Sequence, residues 1–197
     1  MCSISCAGLM KLKPSNTAIK RTKASPVARK LVTEHILKNN QISTILDYGC
    51  GFGSDVSYYK KRGFTVRGFD PYGPPKVSAK VTGQFDLVVC QFVLNVIEDS
   101  KERAQVCKRL FRHAKINGLI VVSTRSPKAI EEEAERKQWK QYKDGFISSA
   151  QRRTFQRGIS ESEIISHFGN SPIEKLVMPF TTRSAVCVTF LRKTGRQ

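Results

Sequence analysis

The sequence predicts an α/β protein with a mostly parallel sheet and a C-terminal antiparallel hairpin. Apolar runs of strand length alternate with capped, amphipathic segments from residue 25 to residue 168, the pattern of parallel strands joined by helices. The closing stretch, EKLVMPFTTRSAVCVTFLRK, alternates apolar and polar side chains as a hairpin does. A chain of 197 residues, 40% hydrophobic and 25% charged, is long enough for one sizeable core and too short for two comfortable domains. We therefore divide it into a basic N-terminal extension, 1–24, and a single domain, 25–197.

Ser25-Pro26 opens the first helix, VARKLVTEHILKNN, with Ser25 as N-cap and Pro26 at the first helical position. Val27, Leu31, Ile36 and Leu37 form its apolar stripe. Ile42 to Asp47 reads as a buried strand that runs into the glycine-rich turn DYGCGFG. SDVSYYKKRG is the next helix, stopped by Gly63, and Phe64 to Asp70 is a second strand. Only sixteen positions lead from Asp70 to Asp86, and they include Gly73-Pro74-Pro75. They leave room for a turn and at most a short strand, Lys76–Val81. Phe85 to Cys90 (FDLVVC) is a clear strand, apolar on both faces. DSKERAQVCKRLFRHAKING reads as a helix ending near Gly118, followed by the strand LIVVSTR. KAIEEEAERKQWKQY is helical, with Glu131–Glu135 toward its start and bases toward its end, as the helix dipole prefers. Ser160 and Glu163 make a capping box before IISHF.

Composition narrows the function. No apolar run approaches the ~20 residues of a membrane span. The start, MCSISCAGLM, lacks the basic and apolar regions of a secretory signal, so the expectation is a cytoplasmic protein with reduced thiols. The six cysteines form no C-x-x-C pair and the three histidines are scattered, so no metal site is expected. Cys2 and Cys6 are given no function. The net charge of +18 favours a polyanionic partner, nucleic acid first. Residues 1–40 hold eight bases against Glu34, and residues 136–157 hold seven against Asp144; together they carry +13 of the +18. Lys20, Arg21 and Lys23 in the first run, and Arg152, Arg153 and Arg157 in the second, are the candidate nucleic-acid contacts. Each run reads equally as a solvated basic face. Nothing in the sequence speaks to oligomeric state.

The sharpest motif is Asp47-Tyr-Gly49-Cys-Gly51-Phe-Gly53, placed between a strand and a helix, with Asp70 closing the next strand. Glycines there let backbone approach a ligand closely, and a carboxylate at the second strand's tip suits a ribose diol. A leading acid would repel pyrophosphate and suit a ligand that carries an ammonium group.

This pattern resembles the class I S-adenosylmethionine-dependent methyltransferases over about residues 42–125, which implies a Rossmann-like fold. It also implies that Gly49, Gly51 and Gly53 wrap the cofactor, with Cys50 and Pro71 in the same set. Asp47 would face the methionine ammonium, and Asp70 would take the ribose hydroxyls. Gln91 and Phe92 would lie near the transferable methyl or the adenine. TAIKRTKASPVARKL, LDYGCGFGSD, GFDP, FVLNVIED, VVSTRS and RRTFQRGISESEI further resemble the DNA phosphorothioation-associated methyltransferases, from about Asn16 to Phe168.

Two departures qualify the resemblance. The sheet is shortened between the family's second and fourth strands, so the wall around the adenine is reduced or rebuilt. The fourth-strand tip, Cys90-Gln91-Phe92-Val93, lacks the [DNS]-P-P-[YFW] motif of base-amine methylation. Cys90-Gln91 matches two of the three residues of the cytosine-C5 nucleophile motif, but Val89 replaces its proline, and strand packing is the other reading of Cys90. No catalytic residue is assigned; Gln91, Asn95 and Cys90 are the candidates. Glu98 and Asp99 could orient an acceptor or open a helix. Arg152 to Gln156 could touch phosphates or a splayed base, or form a surface turn with Phe155 in the core. The function expected is methyl transfer to nucleic acid, DNA ahead of RNA. Beside it stand a non-catalytic cofactor- or DNA-binding module of a modification or defence system, and a small-molecule or protein methyltransferase.

Overall fold

The computed structural model describes residues 12–73, 80–180 and 183–195. Its strands are β1 (Thr44–Tyr48), β2 (Thr65–Phe69), β3 (Phe85–Gln91), β4 (Ala114–Arg125), β5 (Lys140–Tyr142), β6 (Gly145–Ser149), β7 (Thr154–Gln156), β8 (Ile173–Leu176) and β9 (Val186–Lys193). The helices are α1 (Pro26–Thr33), α2 (Ile36–Asn39), α3 (Ser54–Lys60), α4 (Ser100–His113), α5 (Pro127–Arg136) and α6 (Glu161–His167). Six strands form the main sheet in the order β2-β1-β3-β4-β9-β8, and β5-β6-β7 form a separate small sheet. β1 to β4 are parallel, and β9 runs antiparallel to both β4 and β8. The expected parallel sheet with its antiparallel end is present. Among the described residues β2 is the edge strand, so the sheet is shortened on that side.

Both faces of the sheet are buried, which is why its central strands are apolar throughout. Leu87 and Val89 of β3 pack with Leu31, Ile36, Leu37 and Tyr59 on one face. Val88 and Cys90 pack with Val106, Leu110, Ile164 and Phe168 on the other. Side chains cap four helices: Ser25 accepts from Ala28 N–H (3.0 Å), Asp99 from Glu102 N–H (2.9 Å), Ser126 from Ala129 N–H (3.3 Å) and Ser160 from Glu163 N–H (3.3 Å). At the opposite edge from the glycine turn, Asp86 accepts from the backbone and hydroxyls of Ser43 and Thr44 and pairs with Lys115, locking β1 to β3.

Three predicted boundaries are corrected. The first helix breaks at His35 (φ 57°) into α1 and α2. Ile36 lies five positions after Leu31, about 140° off its face on a continuous helix, and the left-handed residue returns Ile36 and Leu37 to the core. α4 ends at His113, and AKING belongs to β4, where the β3–β4 register jumps from Phe85↔Ala114 to Leu87↔Leu119 around Asn117 (φ 63°). The charged helix stops at Arg136, because Lys140–Tyr142 pairs with β6. Of the expected strand Lys76–Val81, residues 76–79 lie outside the described residues, as do Cys2 and Cys6; Val81 packs against the α4 side of the core.

The described part of the basic N-terminal segment is tied down. Lys13 N–H donates to the Arg153 carbonyl (2.8 Å) and Asn16 Nδ2 to that of Arg152 (2.7 Å), so residues 12–24 form a strap beside the β6–β7 turn. Among the described residues no helix is long and apolar enough to cross a membrane.

Candidate active site

Strands leave β1 toward β2 on one side and toward β3 on the other, so the carboxyl ends of β1 and β3 frame a topological switch point. The glycine turn lies there. Gly49 (φ 82°) donates its N–H to the Phe69 carbonyl at 2.6 Å, and a Cβ at this position would come 2.1 Å from Val93 Cγ2. Gly51 (φ 51°) donates its N–H to Asp70 Oδ2 (3.0 Å), while Asp70 Oδ1 accepts from Tyr72 N–H (2.9 Å). Both turn glycines adopt left-handed backbone that other residues reach only with strain. Gly53 (φ 78°) begins α3 and lies behind the turn.

A cavity of about 480 Å³ opens over this turn. Asp47, Gly49, Cys50, Gly51, Asp70 and Pro71 line it from β1 and β2, and Gln91, Phe92 and Asn95 from the end of β3. The structure thus brings together all the expected cofactor residues except Gly53. Asp47 is 3% exposed. Burial first, then the charges of Asp55 and Asp70, raise its carboxyl to about 8 against the opposing pull of Arg21. Burial, with Asp47 and Asp70 beside it, pushes the Cys50 thiol up to about 12.

Gln91 is held from two sides. Its Oε1 accepts from the Ser25 hydroxyl (2.8 Å) and its Nε2 donates to Asp55 Oδ2 (3.0 Å), while Asp55 Oδ1 accepts from Ser25 N–H (2.6 Å). Ser25, read in the sequence only as a helix cap, joins α1, α3 and β3 through Asp55 and Gln91, which line the cavity. Phe92 has φ 56° and donates its N–H to the Ser123 carbonyl (2.8 Å), a strained backbone of the kind that collects at functional sites.

Two catalytic candidates have structural surroundings. Asn95 is 1% exposed; its Nδ2 donates to the Arg157 and Arg125 carbonyls and its Oδ1 accepts from Arg125 N–H (3.0 Å), so its amide is engaged by backbone. Cys90 is fully buried in the α4-side core and absent from the cavity wall, with its thiol raised by burial. An exposed thiolate there is excluded by position. Glu98 pairs with Lys143 (2.6 Å) and Asp99 caps α4.

Adjoining the turn, the cavity has a wall that sequence reading missed. Tyr72 donates its hydroxyl to Glu102 Oε1 (2.7 Å), and Val106 and Arg109 continue that wall, Arg109 reaching Tyr48 Oη at 3.5 Å. Glu102, Val106 and Arg109 fall at i, i+4 and i+7, one face of α4, which was the signal available. Arg125 and Gln156 also line the cavity.

The basic candidates divide. Lys20, Arg21 and Lys23 are exposed on the strap, and Arg21 lines the cavity. Arg152 is exposed and binds the Asn16 carbonyl. Arg157 is half-buried and used internally, pairing with Asp144 (3.2 Å) and Glu163. Arg153 is half-buried at the left-handed corner before β7 (φ 53°), and Phe155 packs in the core at 1% exposure. Arg152 to Gln156 therefore lead into and form β7, and Arg157 does not face a partner. Among the described residues no group of three His, Cys, Asp or Glu is placed to hold a metal ion.

A family described as a methyltransferase domain matches residues 20–161. Similar solved structures include an S-adenosylmethionine-dependent methyltransferase from Methanosarcina mazei, with 16% identity, TM-score 0.57, and 87% of this chain and 99% of that one covered. Magnesium protoporphyrin IX methyltransferase from Synechocystis PCC 6803, bound to S-adenosylhomocysteine, has 17% identity, TM-score 0.59, and 85% and 82% coverage. An amino pentose methyltransferase from Micromonospora echinaspora, bound to S-adenosylmethionine, has 13% identity, TM-score 0.59, and 85% and 90% coverage. At these identities the likeness is one of fold. No curated protein matches the sequence.

Proposed function

The chain belongs to the methyltransferase-domain family, and from that premise we propose that it moves the methyl group of S-adenosylmethionine to nucleic acid, DNA ahead of RNA. The residues at the switch point suit that cofactor. A buried carboxyl crowded by two others favours a cationic ligand group, which Asp47 would hold as the methionine ammonium. Asp70, already accepting two backbone N–H groups at the turn, would accept from the ribose diol. Gly49 and Gly51 would pass backbone close to the ligand. Tyr72 and Val106, with Glu102 between them, would rebuild the adenine wall that the short segment after β2 reduces. When bound, the cofactor supplies an activated methyl on a sulfonium. The chain then has to align an acceptor with it, and alignment accounts for most of such catalysis. Gln91, locked by Ser25 and Asp55, and Phe92 would set that alignment at the end of β3.

The observation that carries the acceptor class is the exposed strap Lys20, Arg21 and Lys23, tied through Asn16 to Arg152 beside the cavity, in a chain of net charge +18. The resemblance of TAIKRTKASPVARKL and RRTFQRGISESEI to phosphorothioation-associated enzymes supports DNA over RNA, and Asn16, the residue just before the first piece, bonds to Arg152, the first residue of the second. The test is incubation with methyl-labelled S-adenosylmethionine and duplex DNA, single-stranded DNA, RNA, protein extract and a small-metabolite fraction. Label in nucleic acid is expected. Label confined to protein or metabolites overturns the acceptor class. Calorimetric cofactor binding without label in any fraction points to a non-catalytic module.

A further inference from the structure

We propose that a second groove, over α3 and behind the glycine turn, is a phosphodiester-backbone site through which a nucleic-acid strand reaches the cofactor cavity; this rests on the nucleic-acid reading above. The groove holds about 410 Å³ and is lined by Arg21, Lys23, Arg29 and Lys61. These four come from three separate parts of the chain: the strap, α1 and the end of α3. None of the groove's lining residues is acidic. Among the described residues, none of the four is in an ion pair, whereas Arg103, Lys115, Arg125, Lys137, Lys143 and Arg157 each have a carboxylate partner.

The gathering of these four in one groove with no acid in its lining points to an anionic ligand. A surface that only needs solvation mixes both signs of charge, as α5 does with its Lys128–Glu132 and Lys137–Glu133 pairs. Arg21 also feels the Asp47 carboxyl in the neighbouring cavity, but the groove itself supplies no acid, so its cations repel one another and a polyanion offsets that repulsion. The groove is also continuous with the cofactor cavity, since Arg21, Phe52 and Ser54 line both. Phe52 is 56% exposed at this junction, an aromatic face on which an unpaired base can stack while its backbone stays in the groove. Arg29 and Lys61 lie outside the cofactor cavity, so they separate backbone binding from cofactor binding.

The test compares the full chain with the Arg29→Glu/Lys61→Glu double variant, using Lys128→Glu/Lys175→Glu as a charge-matched control remote from the groove. Binding of a short labelled single strand and duplex is followed against salt, with calorimetry of S-adenosylmethionine on each protein and anionic vesicles as a second probe. Support is a fall of roughly tenfold or more in nucleic-acid affinity, with the log–log salt slope smaller by about 1–2, in the groove variant. The control should show a much smaller change, and all three proteins should have the same cofactor affinity. If the wild type binds nucleic acid and the groove variant matches the control, the groove is overturned while the acceptor reading stands. If the wild type binds no nucleic acid, or binds vesicles only, both are overturned.

Discussion

Asp47 couples the site to pH. Its carboxyl is held up at about 8 by burial and by Asp55 and Asp70, against an ordinary value of 3.8. Between those values the folded chain carries a proton there that the unfolded chain has lost. The contribution to stability is therefore fully present below pH 3.8 and is lost as pH rises through about 8. A cationic ligand reverses this preference and expels the proton. Cofactor affinity should then climb as pH rises from 6 toward 8, and Asp47→Asn should flatten that climb. Calorimetry in two buffers of different ionisation enthalpy reads the released proton; identical heats would contradict the argument. Cys90, by contrast, is a packing residue in its surroundings. Cys90→Ala should cost about 1 kcal/mol in a denaturant melt and leave methyl transfer intact. Normal cofactor binding with transfer abolished would give the thiol a chemical role instead.

At the scale of elements, one charge cluster holds the small sheet to the body. Arg103 of α4, 1% exposed, donates to the Ile97 carbonyl (2.8 Å) and pairs with Asp144 in the β5–β6 turn. Asp144 also faces Arg157, which pairs with Glu163 at the start of α6. Two arginines, one from α4 and one just after β7, thus converge on a single carboxylate, and α6 joins the cluster through Glu163. Asp144→Ala would leave the Arg103 guanidinium buried with one carbonyl partner. Because Asp144 is itself 39% exposed, the expected loss is about 1–3 kcal/mol, below that of a fully enclosed pair. Urea unfolding measures it. β7 carries Gln156 to the cavity rim, so the same variant should lower methyl transfer more than it weakens cofactor binding. Equal loss of both would mean that the small sheet supports the whole site and not the part lined by Gln156 alone.

For the whole molecule, +18 predicts an interaction governed by counterion release. The logarithm of nucleic-acid affinity should fall linearly with the logarithm of salt, by about 0.9 per phosphate neutralised on a duplex. Reversing Lys20, Arg21 and Lys23 together to Glu should flatten the slope by about two to three phosphates' worth, read by anisotropy across a salt series. An affinity indifferent to salt would remove electrostatics as its source. The strap is the part of the chain best placed for this effect, since it carries exposed cations over the turn yet is anchored by Lys13 and Asn16 at its other end.

Local chemistry was enough to read the sheet and its glycine turn. Strand periodicity, the Ser25 and Ser160 caps, and Asp47 to Gly53 followed by Asp70 are short-range patterns, and backbone sterics ties each to one local conformation. The helix break at His35 and the small β5–β7 sheet were not legible, because both follow from what the core needs on the far side of an element. The fates of the charges were hidden for the same reason. Arg152 and Arg157 look alike in sequence, but only tertiary contacts turn Arg157 inward to Asp144 and Glu163 and leave Arg152 exposed beside Asn16. Likewise Ser25, Asp55 and Gln91 are distant in the chain and meet only when α1, α3 and β3 pack together. The sequence by itself determined the sheet and the turn because those depend on neighbouring residues; which side chains share the cavity was decided by tertiary packing, because it depends on distance in space.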